Sequence, residues 1–228
     1  MIPSVRSDTQ TIFRVGRSPD CWTIPKSTSV GNGRFDDPRR EYRVLYCASS
    51  PLGCFLETLA VFRRDLNLMA ELSAIDGIDD YQPLGEVPIE WFENRALGSA
   101  HLNGRFVDVS RASSIGWVRR GLRELLLSSG FPDFDVSSLC QAKDRHLTQA
   151  ISRLVFDSSF SGLCYISRFG ADVENWASFE PSLLEDSQSE SLSLVDPDLL
   201  EACRIHGLRI SPNRSDPSTV GSLKTIVS

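Results

Sequence analysis

The side chains most able to do chemistry lie between residues 31 and 57. A glycine-rich turn leads into Arg34. Tyr46 follows in a β-rich run, and Glu57 falls in a helical segment after it. A guanidinium forks onto phosphate, an aromatic ring stacks on a base, and a carboxylate stabilises positive charge. Together the three could bind a ligand that combines a phosphate, a base and a positive charge.

Each of these residues also has an ordinary structural interpretation. Arg34 could be a solvated turn residue instead of an anion clamp. Glu57 could point to water or pair with Arg63 or Arg64 instead of acting as a functional acid. Tyr46 could belong to the core, which is the commoner fate of a tyrosine in a strand. On the residues alone, these alternatives stay open.

Well-known catalytic and metal-binding motifs are missing from the sequence. It contains no G-x-S-x-G elbow, no P-loop and no G-x-G-x-x-G. The histidines His101, His146 and His206 lie on separate elements, without the H-x-x-x-H spacing of zinc ligands. The six cysteines include no C-x-x-C pair. We therefore predict no metal site and reduced, mostly buried thiols.

Composition and charge indicate a globular chain. The 228 residues are 41% hydrophobic and 24% charged, which suffices for a full core. We expect one domain over residues 1–210 and a flexible tail over 211–228, which is rich in Ser, Pro and Thr. The net charge of -6 argues against direct nucleic-acid binding. Without a secretory signal or a membrane-spanning run, we expect a cytoplasmic protein with no membrane contact.

A strand and a helix are predicted at the ends of the chemically active region. Alternating residues over 11–15 indicate a strand with Arg14 on the face opposite the core, where its guanidinium needs water or an anion. Ser49 or Ser50 can cap a helix that has a proline in its first turn and carries Glu57.

The remaining elements follow one another without a regular βαβ repeat or an internal period. Further strands are predicted at residues 43–48, 66–75, 104–109, 162–168 and 176–179. Helices are predicted at residues 88–97, 114–130, 145–156 and 197–206, and a loop at residues 16–33. Strand clusters interrupted by helices of uneven length favour the α+β class.

Read in order, these segments resemble the RES domain family, which is named for an Arg, a Glu and a Ser. The resemblance extends from about residue 11 to residue 180, and the segment beyond it departs from shorter members. It rests on residues 13–15 (FRV), 33–36 (GRFD), 45–48 (LYCA) with Glu57 downstream, and 162–168 (GLCYISR).

The resemblance implies an ADP-ribosyltransferase-like fold, with a split β-sheet core and flanking helices. It implies an enzyme that uses NAD+ as substrate, not as cofactor, and cleaves the nicotinamide–ribose bond as a glycohydrolase or phosphorylase. Family members are commonly toxins that deplete NAD and are neutralised by an Xre-like antitoxin. An ADP-ribosyltransferase acting on a protein and an inactive NAD-binding module are the alternatives. The oligomeric state, including a homo-oligomer, is left open.

Five residues take roles by the same resemblance. Glu57, Arg34 and Ser167 are the implied catalytic residues. Arg14, Arg34, Tyr46 and Ser167 are the implied NAD-binding residues, with no metal. The carboxylate would stabilise an oxocarbenium-like ribose, and the two guanidinium groups would hold the pyrophosphate or ribose. The phenol of Tyr46 would pack on the nicotinamide ring or help compress the nucleotide, and the hydroxyl of Ser167 would bond the nicotinamide amide or the ribose.

Overall fold

Within the described residues, an eight-stranded sheet is the largest element, and a second sheet has two strands. The computed structural model describes residues 2–24, 33–64, 85–128, 134–141, 145–179 and 183–211. The strands are β1 (Val5–Arg6), β2 (Gln10–Arg17), β3 (Val44–Ala48), β4 (Gly85–Pro88), β5 (Arg95–Asn103), β6 (Phe106–Asp108), β7 (Gly162–Ser167), β8 (Gly170–Phe179), β9 (Leu183–Ser191) and β10 (Leu208–Ser211). The α-helices are α1 (Pro51–Leu59), α2 (Ile89–Glu93), α3 (Ala112–Gly121), α4 (Arg123–Ser128), α5 (Val136–Gln141), α6 (Arg145–Asp157) and α7 (Pro197–His206).

The large sheet mixes parallel and antiparallel pairs. Its strand order is β1-β6-β7-β8-β3-β2-β5-β9. The pair β6–β7 is parallel and the other neighbours are antiparallel, whereas β10 and β4 form the small parallel sheet. With helices flanking this mixed sheet, the predicted α+β class is confirmed.

Strand β8 shows how the sheet separates the hydrophobic clusters of the core. Val173 packs in the cluster around α1, whereas Ala177 and Phe179 pack in the cluster around α6. Trp176 belongs to a third cluster, because successive side chains of a strand face opposite sides of the sheet. Asn175, only 2% exposed, interrupts the apolar face between the first two clusters. A polar site at this position must therefore lie between two hydrophobic cores.

Helix α1 is fixed by local signals and by close contact with the sheet. Ser50 caps it by accepting a hydrogen bond from the Gly53 amide at 3.1 Å, and Pro51 occupies its first turn. A Cβ on Gly53 would lie 3.0 Å from Val173 Cγ1, so the absence of a side chain lets the helix approach β8 closely. Because the apolar face of the helix is buried, the rotation of the helix about its axis is fixed, and with it the direction of the Glu57 side chain.

Several predicted elements are confirmed. They are the strands at residues 11–15, 43–48, 104–109, 162–168 and 176–179, found within or overlapping β2, β3, β6, β7 and β8, and the helices at residues 145–156 and 197–206, found as α6 and α7. The predicted loop at 16–33 begins only after β2, which continues to Arg17. The predicted strand at 66–75 lies outside the described residues, as does the predicted tail after Ser211.

The predicted helix over residues 88–97 is largely wrong. Only Ile89–Glu93 is helical, and the chain enters β5 at Arg95. Strand β5 hydrogen-bonds β2 on one side and β9 on the other, so tertiary pairing overrides its weak local β propensity. Its partner β9 was not predicted, because its polar and acidic sequence lacks the apolar alternation of a strand.

The single helix predicted over residues 114–130 is two helices, α3 and α4. Ser114 does not cap, because α3 begins at Ala112 and the Ser114 hydroxyl is buried. It accepts a hydrogen bond from the Ser4 amide at 3.0 Å and so ties the N-terminal segment to the helix. The first helix ends at Gly121, and the next residue, Leu122, leaves helical geometry at φ -108 and ψ 20.

The five cysteines whose side chains are described are free and buried. Burial raises the pKa of each of these thiols. None of the helices in the described ranges combines the length and apolar character needed to cross a bilayer.

Candidate active site

A cavity of about 320 Å³ opens where α1 packs on strands β2, β3, β7 and β8. This volume lies within the usual range for a small-molecule site. Four of the five residues singled out from the sequence line it, and the fifth, Ser167, hydrogen-bonds one of them. The lining residues are Arg14, Val15, Gly33, Arg34, Tyr46, Cys47, Ala48, Cys54, Glu57, Thr58, Arg145, Tyr165 and Asn175.

The Glu57 carboxylate is held through one of its two oxygens. Ser167 Oγ donates to Oε1 at 2.7 Å, and Asn175 Nδ2 donates to the same oxygen at 2.8 Å. Ser167 is itself oriented, because its hydroxyl accepts from the Phe169 amide at 3.0 Å. No described residue donates to Oε2. One oxygen therefore anchors the group, and the other can meet a ligand in the cavity.

Arg34 brings unused hydrogen-bond donors to the cavity. Its Nε and Nη2 atoms are buried and have no hydrogen-bond partner among the described residues. Its Cζ lies 5.8 Å from the ring centroids of both Phe35 and Tyr165, so the guanidinium is flanked by aromatic faces. Each unpaired buried donor costs about 1–3 kcal/mol. The arrangement is therefore suited to an anionic ligand, which would supply the missing acceptors.

Arg14 is held by the protein itself. Its Nε donates to the Cys21 carbonyl and its Nη1 to the Tyr46 carbonyl, both at 2.7 Å. The expectation that this guanidinium needs water or an anion is therefore corrected in part, because two backbone oxygens accept from two of its five N–H groups. The side chain still lines the cavity and contributes positive charge there.

Tyr46 closes the loop that carries Arg34. Its hydroxyl donates to Asp36 Oδ1 at 2.8 Å and accepts from the Phe35 amide at 2.9 Å. The other oxygen of Asp36 accepts from the Gly33 amide at 2.8 Å. Burial, and then the negative charge of Asp36, raise the pKa of the Tyr46 phenol, so it stays protonated and donates. The phenol and the Asp36 carboxylate together thus fix both ends of a short turn around the guanidinium.

A second cavity, of about 380 Å³, lies along α6. Arg153, on its wall, donates to Asp157 Oδ2 at 3.0 Å and lies 3.6 Å from Asp37. Because these charges compensate one another, the first cavity is the stronger candidate for ligand binding, since its Arg34 donors have no partner in the described part of the chain.

The family model of the RES domain matches residues 11–196. The chain belongs to the RES domain family. A search of curated proteins finds no match. Among solved structures, the RES domain is similar to a chain in the crystal structure of the M. tuberculosis MbcT–MbcA toxin–antitoxin complex, with a TM-score of 0.53 and 12% identity over 89% of this chain and 91% of that chain. At that identity the likeness shows a shared fold.

The RES domain match extends further than the sequence motifs indicated. It ends at residue 196 instead of 180, so it includes β9. Helix α7 and strand β10 follow it and pack back onto the domain: His206 Nε2 lies 2.8 Å from the Leu56 carbonyl oxygen, next to Glu57. Burial lowers the pKa of His206, which favours a neutral ring donating this bond.

Several residues that line the cavity in this RES domain were not predicted as site residues, among them four with polar side chains. Asn175 had a detectable signal, since it is a lone polar residue on an inward strand face whose neighbours are apolar. Tyr165 lies in a predicted strand without further marking; burial and then the charge of Glu57 raise the pKa of its phenol. Arg145 and Thr58 lie on predicted helices and have no sequence signal that distinguishes them from surface residues.

Asp108, Cys164 and Glu174 of the RES domain lie close enough together to ligate a metal ion. Arginines neutralise the two carboxylates, however. Arg111 Nε donates to Asp108 at 3.0 Å, and Arg6 Nη1 donates to Glu174 at 3.2 Å. The group is therefore an ion-pair network that ties β1 to the sheet.

Proposed function

We propose that this RES domain cleaves the nicotinamide–ribose bond of NAD+, as a glycohydrolase or a phosphorylase. The observation that carries the proposal is the pairing of two groups in one cavity. Among the described residues, one oxygen of Glu57 is anchored and the other has no donor, and Arg34 has buried donors without an acceptor. These groups suit the two charged parts of NAD+, its cationic nicotinamide riboside and its anionic pyrophosphate.

The charge of the cavity supports the same substrate. Among the described residues, Arg14, Arg34 and Arg145 line it with one carboxylate, Glu57. The cavity is positively charged although the chain as a whole carries a net charge of -6. A pyrophosphate carries two negative charges that guanidinium groups bind well. The residues therefore fit a dinucleotide better than a neutral sugar.

The chemistry requires little beyond this arrangement. When the bond between the ribose C1′ and the nicotinamide nitrogen breaks, its electron pair moves to the ring nitrogen and neutralises the pyridinium. The sugar is left as an oxocarbenium-like cation, which the Glu57 carboxylate stabilises. Water or phosphate then attacks C1′ and gives ADP-ribose or its 1″-phosphate. Because nicotinamide leaves as a neutral molecule, no strong general acid is needed.

The biological role in this proposal is that of a toxin. The fold shared with a chain of the M. tuberculosis toxin–antitoxin complex supports it, as does membership of the RES domain family. Loss of NAD would arrest growth of the cell in which the protein acts. An Xre-like antitoxin is the partner that we propose, with the cytoplasm as the site of action.

Purified protein incubated with NAD+, with and without phosphate, tests the enzymatic proposal. Free nicotinamide is the expected product in at least one condition. Chromatography of the other product separates the mechanisms, since ADP-ribose indicates water as acceptor and ADP-ribose 1″-phosphate indicates phosphate. An adenine label that becomes attached to protein would indicate ADP-ribosyl transfer instead. NAD+ that stays intact in every condition would contradict the proposal.

A Tyr46→Phe substitution separates two roles of this residue. If Tyr46 acts only through its ring against nicotinamide, phenylalanine at this position preserves the KM for NAD+. We expect instead that KM for NAD+ rises about tenfold, because the hydroxyl bond to the Asp36 carboxylate is worth about 1.5–3 kcal/mol and orders the turn around Arg34. Steady-state kinetics measure the change.

Tyr42→Phe is the matched control for that substitution. Tyr42 is also buried and bonds Ser152 Oγ at 2.8 Å, but it does not line the cavity. The Tyr42→Phe variant should be less stable than wild type, without a rise in KM for NAD+. An unchanged KM in Tyr46→Phe would show that the ring, not the hydroxyl, carries the function of Tyr46.

A further inference from the structure

The second donor to Glu57 is a buried amide in the middle of the sheet. Asn175 lies in β8, opposite Ala48 of β3 on one side and Tyr165 of β7 on the other. Its side chain is 2% exposed, and its Nδ2 donates to Glu57 Oε1 at 2.8 Å. The neighbouring inward positions of β8 are apolar. An apolar residue would continue this packed face, so the amide needs an explanation beyond packing.

Two donors on one oxygen restrict the carboxylate more than one does. The terminal torsion of a glutamate is broad, and a single hydrogen bond leaves the group free to pivot about the bonded oxygen. Ser167 Oγ and Asn175 Nδ2 approach Oε1 from β7 and β8, two neighbouring strands of a rigid sheet. Together they fix the plane of the carboxylate and so the position of Oε2.

An amide is also the suitable type of donor at this position. Lysine or arginine at residue 175 would neutralise the Glu57 charge and weaken its attraction for a cationic sugar. Asparagine donates a hydrogen bond and adds no net charge. The carboxylate therefore keeps its full charge for the transition state while its geometry is held.

We propose that Asn175 is a positioning residue for NAD+ cleavage, which fixes Glu57 Oε1 together with Ser167 and presents Oε2 to the reacting ribose. This inference rests on the proposed function. The residue acts through Glu57, so it contributes to the rate of bond breaking and not to the affinity for NAD+.

Two substitutions test the inference, because a positioning residue should affect kcat and leave KM nearly unchanged. Asn175→Leu keeps roughly the size of the side chain and removes the donor without adding a charge beside Glu57, and Asn175→Ala removes the whole amide. We expect kcat for nicotinamide release to fall about 10- to 100-fold in both, with KM within about twofold of wild type. A merely structural role would loosen the cavity and raise KM as well.

Ser178→Ala is the control on the same strand. Ser178 is fully buried, and its Oγ has no partner among the described residues, so its removal should leave kcat and KM unchanged. Thermal unfolding and binding of ADP-ribose show whether each variant is folded with an intact cavity.

The outcomes separate this inference from the function on which it rests. A wild-type protein that releases no nicotinamide refutes the proposed function. An active wild type with full kcat in a folded Asn175 variant refutes the positioning role alone. Unfolding of both Asn175 variants would assign the residue a structural role and also overturn the inference.

Discussion

Glu57→Gln is expected to lower kcat for nicotinamide release by about 10²- to 10³-fold, with little change in KM. Glutamine has nearly the same shape, and its carbonyl oxygen can still accept from Ser167 and Asn175. What it lacks is the negative charge that stabilises the oxocarbenium-like ribose. The loss therefore falls on the chemical step. The assay is the initial rate of nicotinamide release from saturating NAD+.

Glu93→Gln provides the matched control for this charge loss. Glu93 is exposed at the end of α2 and does not line the cavity. Its substitution changes the net charge by the same amount and should leave kcat unaltered. Full turnover in folded Glu57→Gln would reject the assignment of Glu57 as the group that stabilises the ribose cation.

The parts of the site that could be predicted are those with a local or ordered signal. Arg34, Tyr46 and Glu57 lie on three consecutive elements, and the motif around Ser167 follows in the order of the RES domain family. Helix α1 was predictable for the same reason, because its cap and first-turn proline are neighbours in sequence. Local chemistry specifies such features before any tertiary contact forms.

The contacts that orient these residues could not be predicted in the same way. The two donors to Glu57 lie 110 and 118 residues from it in sequence. They meet it only because β7 pairs with β8, in a register that sets Tyr165 opposite Asn175. A shift of one residue would turn Asn175 to the other face of the sheet. Strand register is a tertiary property, and a single sequence carries little information about it.

The hydrogen bonds of the Tyr46 hydroxyl could not be predicted for the same reason. The position of Tyr46 in a strand favoured a place in the core, and the resemblance to the RES domain family implied a flat aromatic surface for the ligand. The structure instead connects its hydroxyl to the turn of Arg34, through Asp36 and the Phe35 amide. Residues 33–36 belong to a loop region without a regular hydrophobic period. The sequence pattern alone could therefore not predict that they contact Tyr46 of β3.

Arg34→Ala is expected to weaken NAD+ binding strongly. A buried guanidinium that binds phosphate through charge-assisted hydrogen bonds is worth about 2–5 kcal/mol when it is truncated. The lower end of this range corresponds to a rise of about thirtyfold in KM. Arg34→Lys should recover little of the loss, because an ammonium cannot reproduce the two adjacent donors, Nε and Nη2. Arg39→Ala, on the same segment and exposed, serves as the control.

The stability of Arg34→Ala distinguishes a ligand-binding role from a structural one. Truncation removes two buried donors that lack partners among the described residues, which favours folding, and also the contacts with the Phe35 and Tyr165 rings, which opposes it. Because these effects have opposite signs, we expect the free energy of unfolding to stay within about 1 kcal/mol of wild type. Urea unfolding measures it. A much larger loss of stability, with KM unchanged, would mean that Arg34 holds the loop together and that the pyrophosphate is bound elsewhere.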